Sequence, residues 1–140
     1  SNYGAGKMGV VGFMNTIKLE GEKYNVHINA LAPIAATRMT EGLLPEEAFN
    51  LLEPHKVTPA VVYMCSDEAP TGKIICAGAG AFSVAEMVES EGIFVGHDPK
   101  AEDIAANWDK ISDMSNAQPK GMGGEQTLKF VTKAMENLPS

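Results

Sequence analysis

No stretch of this chain approaches the run of about 20 apolar residues that a membrane-spanning helix needs. Nothing at its start pairs a basic lead with an apolar core and a small-residue cleavage site, so the opening does not read as a secretory signal. Positive charge is also short. Eleven Lys and Arg stand against 18 Asp and Glu, and a formal charge of -7 argues against a nucleic-acid backbone or an anionic membrane as partner. Cys65 and Cys76 show no C-x-x-C spacing and no paired framework. They read as free thiols in a reducing compartment, and the cytoplasm is the expected location. His27, His55 and His97 share no ligand spacing, so no metal site is expected. Aromatics are 6% of the residues, whereas eight Met supply adaptable packing. At 140 residues, with 44% hydrophobic and 21% charged, the chain is one domain or one domain with a short appendage.

What is present alternates helical and extended patterns. Residues 2–23 read as a helix, with Met8, Val11, Met14 and Ile17 near a 3.6-residue spacing and Phe13 broadening the stripe. Tyr24 and Asn25 make a turn. Residues 26–32 alternate as a strand that Pro33 should stop. A short helix opens near Pro45, with Glu46 and Glu47 in its first turn, and Pro54 ends it. Thr58 caps a second, largely apolar helix, and KIICAGAG is a second buried strand. Residues 82–98 have an ambiguous period. Residues 99–113 suit an amphipathic helix with Ile104, Trp108 and Ile111 on one face, Trp108 serving as a packing anchor. After the KGMGGE turn a last helix carries the stripe Leu128, Val131 and Met135. Two strands joined through helices imply parallel pairing. Two strands cannot hide both faces of a sheet, so the pattern reads as half of an α/β domain.

The opening SNYGAGKMGVVG fits two motifs at once. Gly4, Gly6 and Gly9 spell G-x-G-x-x-G, but a phosphate-binding turn must follow a strand and open a helix, and only two residues precede Gly4. Nor does a strand-end acidic residue follow at the ribose-binding distance, since Glu20 and Glu22 lie in a helical tail. The glycines instead allow close helix packing. Tyr3 and Lys7 spell Y-x-x-x-K, and an i, i+4 pair shares one helix face. A phenol titrates at about 10, and a nearby ammonium favours the phenolate, which suits tyrosine to general acid/base work. Two surface residues four apart would look the same in five letters.

The wider context separates these readings. Residues 1–40 resemble the central block of the short-chain dehydrogenase/reductase family, where the Y-x-x-x-K helix precedes an N-x-x-x-P strand, here Asn29 to Pro33, and then a Thr-bearing loop. A narrower resemblance rests on APIAATRMT, LEPHKVTPAVVYMCSDEAPTGKIICAGAG and DIAANWDKISDMSNA. It is to the (3R)-hydroxyacyl-CoA dehydrogenase part of the type 2 multifunctional enzymes of fatty-acid β-oxidation and their bacterial relatives. The resemblance implies an α/β fold, the C-terminal half of a Rossmann-like doubly wound parallel sheet over 1–80, followed by a helical extension over 81–140. It implies NAD(P)-dependent interconversion of 3-hydroxyacyl-CoA and 3-oxoacyl-CoA.

By the same resemblance Tyr3 takes the hydroxyl proton, and Lys7 favours its phenolate and hydrogen-bonds the nicotinamide ribose. Pro33 and Ile34 lie under the nicotinamide, and Thr37 reaches its carboxamide. Ile34 stands where most members have Gly, and Thr37 comes one residue earlier than the commonest pattern. The family's phosphate-binding turn, ribose-reading acid, catalytic Ser and relay Asn have no counterparts here, and Ser1 is misplaced for the Ser. The expectation is a partial chain, inactive alone and not binding NAD(P) by itself. Met8, Met14, Met39 and Met64 are candidates for an acyl pocket or for core filling. Exposed helices and open strand edges point to a homodimer or higher oligomer, with no nucleic-acid or membrane partner. A non-catalytic oligomerising or acyl-CoA-binding module is the alternative.

Overall fold

The computed structural model describes residues 1–38 and 40–138. The chain forms two compact units, Ser1–Glu86 and Met87–Ser140. Among the described residues no helix is long and apolar enough to cross a membrane.

The first unit begins with α1, Asn2–Gly21, close to the expected span. A single 3-10 turn, Glu22–Tyr24, and a left-handed Asn25 with φ of 54° then reverse the chain. The reversal is tight: Val26 N–H donates to the Gly21 carbonyl at 3.1 Å. A Cβ on Gly21 would sit 2.8 Å from the Val26 carbonyl, so glycine is required there. Along α1 only Met14 and Gly21 are buried; Val11 and Ile17 are half-buried, and Met8, Val10 and Phe13 face solvent, in keeping with the exposed helix face expected from the sequence. Among the described residues nothing lies within 4 Å of a Cβ built at Gly4, Gly6 or Gly9, so those glycines show no close packing there.

Strand β1, Ala30–Pro33, pairs in parallel with β2, Ile74–Gly78, placing Leu31 beside Ile75 and Pro33 beside Ala77. It starts later than expected because side chains replace the ladder ahead of it. Ile28 N–H donates to Thr71 Oγ1 at 3.1 Å, and the Asn29 amide spans the same loop. Its Nδ2 donates to the Pro70 carbonyl at 2.6 Å and its Oδ1 accepts from Lys73 N–H at 3.1 Å. Pro33 is the last residue of the strand, as expected. Ala30 and Ile34 donate toward β2, so the alternation turns Pro33 to the open edge, where a missing N–H costs nothing.

Between the strands run α2, Glu46–Leu51, opened by Pro45, a 3-10 turn at Pro54–Val57, and α3, Thr58–Met64. Val57 and Ala60 pack on Ile75 and Ala77, with Leu31, Ala35 and Met64 around them. Full burial of a side chain such as Ile75 contributes roughly 1.5–3 kcal/mol. Residues 82–85, whose period is ambiguous, belong to β3, Ala81–Ala85, antiparallel to β2. The sheet order is β1-β2-β3. The two-residue turn Ala79-Gly80 has φ of 53° and 82°, the left-handed pair that a tight hairpin needs.

The division therefore falls after Glu86 and not after Gly80, because β3 belongs to the first sheet. The second unit is not purely helical. It contains β4, Val88–Glu89, paired with β5, Gln118–Pro119, besides α4, Ala101–Ala106, α5, Trp108–Ile111, and α6, Gly123–Glu136. The helix expected over 99–113 breaks at Asn107, whose Nδ2 donates back to the Asp103 carbonyl at 2.8 Å. Trp108 is 58% exposed and anchors no core.

Asn29→Ala should unlatch β1 from the 70–73 loop. With the Pro70 carbonyl and Lys73 N–H left unmet, urea unfolding should report a loss of about 1–3 kcal/mol.

Candidate functional site

Tyr3 and Lys7 occupy the first two turns of α1, one turn apart on one face. Lys7 Nζ lies 5.3 Å from the Tyr3 ring centroid, over the ring face and within cation–π range. Both side chains are exposed. Among the described residues neither the Tyr3 hydroxyl nor the Lys7 ammonium hydrogen-bonds to a protein group. Their polar atoms are free to meet a ligand.

Pro33, Ile34 and Thr37 fall on one continuous segment at the C-terminal end of β1. Ile34 N–H donates to the Ala77 carbonyl at 2.8 Å, which carries the ladder one residue past the strand. Gly78 presses against the same residue: a Cβ there would come within 2.9 Å of the Ile34 carbonyl oxygen and 3.0 Å of its Cβ. The Ile34 backbone is thus held, while its side chain faces solvent. Beyond it the loop folds on Thr40, whose Oγ1 donates to the Ala35 carbonyl at 3.0 Å and accepts the Thr37 N–H at 2.9 Å. Thr37 Oγ1 stands 3.5 Å from Thr40 Oγ1, at the surface.

The 20-residue α1 is about 30 Å long, and the extended run from Val26 to Pro33 is about 26 Å. The arms are joined by the tight reversal at Gly21–Val26, and their lengths are similar. Ligands of open α/β sheets bind outside the carboxyl ends of the strands. A tyrosine–lysine pair there can exchange a proton with a bound hydroxyl or carbonyl.

Other candidates separate. Met14 is buried, Met64 joins the cluster around Ile75, and Met8 is exposed, while Met39 lies outside the described residues. The three described members occupy different environments, not one pocket. A cleft of about 420 Å³ lies between α3 and the hairpin, walled by Pro59, Tyr63, Pro70, Phe82 and Val84, and holds none of the expected site residues. Among the described residues no group of three His, Cys, Asp or Glu could hold a metal. His97 Nε2 instead lies 2.8 Å from the Asn137 carbonyl. Both cysteines are free thiols.

Two supporting residues were not marked as functional in the sequence. Asn29 sets the approach to β1, and Gly78 fixes Ile34. A polar residue inside a strand and a glycine at a strand end were the signals available, though their partners lie 41 to 44 residues away.

No protein-family model matches the chain. A protein of Mycobacterium tuberculosis described as a short-chain type dehydrogenase/reductase is 44% identical over 122 residues, 86% of this chain and 43% of that protein. The mouse peroxisomal multifunctional enzyme type 2 is 37% identical over 121 residues, 84% of this chain and 16% of the enzyme. In the structure of the full-length Drosophila melanogaster peroxisomal multifunctional enzyme type 2, the match has a TM-score of 0.83 at 31% identity and covers 96% of this chain and 25% of that one. A short chain dehydrogenase from Mycobacterium avium matches with a TM-score of 0.58 at 29% identity, over 85% of this chain and 40% of its own. The chain spans less than half the length of each of these relatives. Its mixed α/β fold, a small parallel sheet with flanking helices, matches part of a Rossmann-like sheet.

Because among the described residues the exposed Tyr3 and Lys7 side chains hydrogen-bond to no protein group, Tyr3→Phe and Lys7→Met should each leave folding stability within about 0.5 kcal/mol of the parent in urea unfolding. A loss above about 1.5 kcal/mol would assign them to the fold instead.

Proposed function

We infer, from a chain homologous to short-chain dehydrogenases/reductases over most of its length, that it supplies the proton-transfer helix and nicotinamide-side loop of an NAD(P)-dependent oxidoreductase. Its substrate class is the 3-hydroxyacyl-CoA/3-oxoacyl-CoA pair. The observation that carries this reading is the exposed Tyr3–Lys7 pair on one face of α1, the helix that leads through a tight reversal into β1.

The described residues fit one end of the cofactor and not the other. At the nicotinamide end, Pro33 and the exposed Ile34 offer an apolar floor, and Thr37 offers a hydroxyl at the surface. At the phosphate end the candidates are already engaged. Gly4, Gly6 and Gly9 are interior to α1. The glycine-rich turn before α6 donates Gly121 N–H to Glu125 Oε2 at 3.0 Å, so a carboxylate of the chain occupies that donor.

NAD(P), when bound, accepts or supplies the hydride at the carbon bearing the substrate oxygen. In the oxidative direction Tyr3 Oη takes the hydroxyl proton as that carbon–hydrogen bond breaks and the carbonyl forms. In reduction it returns the proton to the carbonyl oxygen. Lys7 holds positive charge one turn away on the same helix face, and its ammonium would hydrogen-bond the ribose. Pro33 and Ile34 support the ring, and Thr37 holds its carboxamide.

The chain alone should bind NAD(P) weakly and form no reduced nicotinamide from a 3-hydroxyacyl-CoA. Joined in one polypeptide to the phosphate-binding portion of the Mycobacterium tuberculosis relative, it should oxidise that substrate, and Tyr3→Phe should lower the rate about 10²- to 10⁴-fold. A folded, cofactor-saturated fusion without activity, or one indifferent to Tyr3→Phe, would sink the reading.

The exposed Met8, Val10 and Phe13 of α1 and the open edge of β1 favour self-association as well, and we propose a homodimer or higher oligomer through them. This surface is what a purely oligomerising or acyl-CoA-binding module would also use. The free thiols Cys65 and Cys76 support a reducing compartment such as the cytoplasm. Light scattering should give at least twice the 14.9 kDa chain mass; a monomer with a cooperative melt would remove the proposal.

A further inference from the structure

The second unit is held together differently from the first. Every buried apolar side chain among the described residues lies in the first unit, and no described residue after Ala77 is buried. Its last helix is also mounted with its polar side inward. Gln126, Lys129 and Lys133 follow one another at helical spacing, and all three reach the short run Glu89–Glu91. Gln126 Nε2 donates to Glu89 Oε2 at 2.9 Å. Lys129 pairs with the Glu89 carboxylate and donates to the Ser90 carbonyl at 2.9 Å, its side chain only 10% exposed. Lys133 pairs with Glu91. Ser90 Oγ extends the run to α5, donating to the Ile111 carbonyl at 2.7 Å. Away from these contacts Val131 and Met135 of the helix are exposed.

We propose that Glu89–Ser90–Glu91 is an electrostatic lock for α6, so that this helix is docked or released by ionic conditions while the first unit stays folded. An isolated surface ion pair contributes little. Here a largely buried lysine side chain holds two acceptors, one of them the carboxylate it shares with an amide, beside a second ion pair, and no buried apolar side chain among the described residues of the unit stands behind them.

The charges facing the two carboxylates set the sign of the pH response. Glu89 faces Lys129, with neutral Gln126 beside it and Lys120 farther off; Glu91 faces Lys133, then Lys129 and Lys120. Glu125 and Glu136 border the same cleft. Hydrogen bonding from Lys129 holds the Glu89 carboxyl below its ordinary value of 4.5, and hydrogen bonding from Lys133 does the same for Glu91, with desolvation opposing both. A lowered folded value means the lock is fully present above the ordinary carboxylate range. It is lost as pH falls through the lower folded values.

Amide hydrogen exchange on the full chain tests this, read as protection factors for α6 against the β1–β2 ladder. Raising NaCl to about 1 M shortens the screening length to about 3 Å and should lower α6 protection roughly tenfold or more, with ladder protection changed less than about twofold. Glu89→Gln and Glu91→Gln should reproduce the loss at low salt, and acidification through the carboxylate range should do so in the parent. If α6 protection is absent at low salt, or indifferent to salt and to both variants, the lock does not exist. Helix and ladder losing protection together would equally overturn it. The salt titration needs no substitution, so a variant that fails to fold leaves the test intact.

Discussion

Parallel strands cannot be joined by a tight turn, and the pairing of β1 with β2 is the constraint that organises the first unit. Setting Leu31 beside Ile75 and Pro33 beside Ala77 obliges residues 34–73 to cross over the sheet. The crossover brings Val57 and Ala60 of the turn and α3 onto Ile75 and Ala77. It also decides what lies at the strand ends. The end where β1 begins is closed by the Asn29 amide and Thr71, and the end where it stops is left for the loop that carries Ile34 and Thr37. A register slip of one residue would turn Leu31 away from the core and bring Pro33 to the paired side, where its missing N–H would break the ladder.

The two units rest on opposite physics. In the first, a small apolar cluster under one sheet face supports backbone ladders, and non-directional burial tolerates salt and pH. In the second, directional charge-assisted contacts between Glu89–Glu91 and α6 stand in for a core. A polar hub is specific in geometry and weak against screening. A helix fixed by such a hub keeps its orientation while leaving its apolar stripe uncovered.

Where local signals decided structure, the sequence was readable. The helix over 2–21, the Pro45 opening of α2 and the buried strand at 74–78 follow from periodicity and caps. β3 was not readable because all five of its residues are exposed, so no face is marked by alternation; only its pairing with β2 defines it. The break at Asn107 turns on one side-chain bond that a helical period does not encode. The exposed apolar side chains of α1 match the exposed helices expected from the sequence. In the site, the i, i+4 relation of Tyr3 and Lys7 was legible, whereas the contacts that fix Asn29 and Ile34 depend on partners more than 40 residues away.

The turn after β2 shows why position at the site is controlled from the hairpin. Ala79 accepts a left-handed backbone at a cost of about 1–2 kcal/mol, because its side chain meets open solvent. Gly78, one residue earlier, has an ordinary backbone yet cannot carry a Cβ, since Ile34 already fills that space. The two neighbours thus differ in kind: one tolerates strain, and the other is excluded by contact. The contact at Gly78, with the Ala77 hydrogen bond beside it, fixes the Ile34 backbone. Thr40 carries that position three residues on to Thr37 by bonding to Ala35 and Thr37 at once. A loop with little buried surface of its own is therefore aimed by the strand beside it.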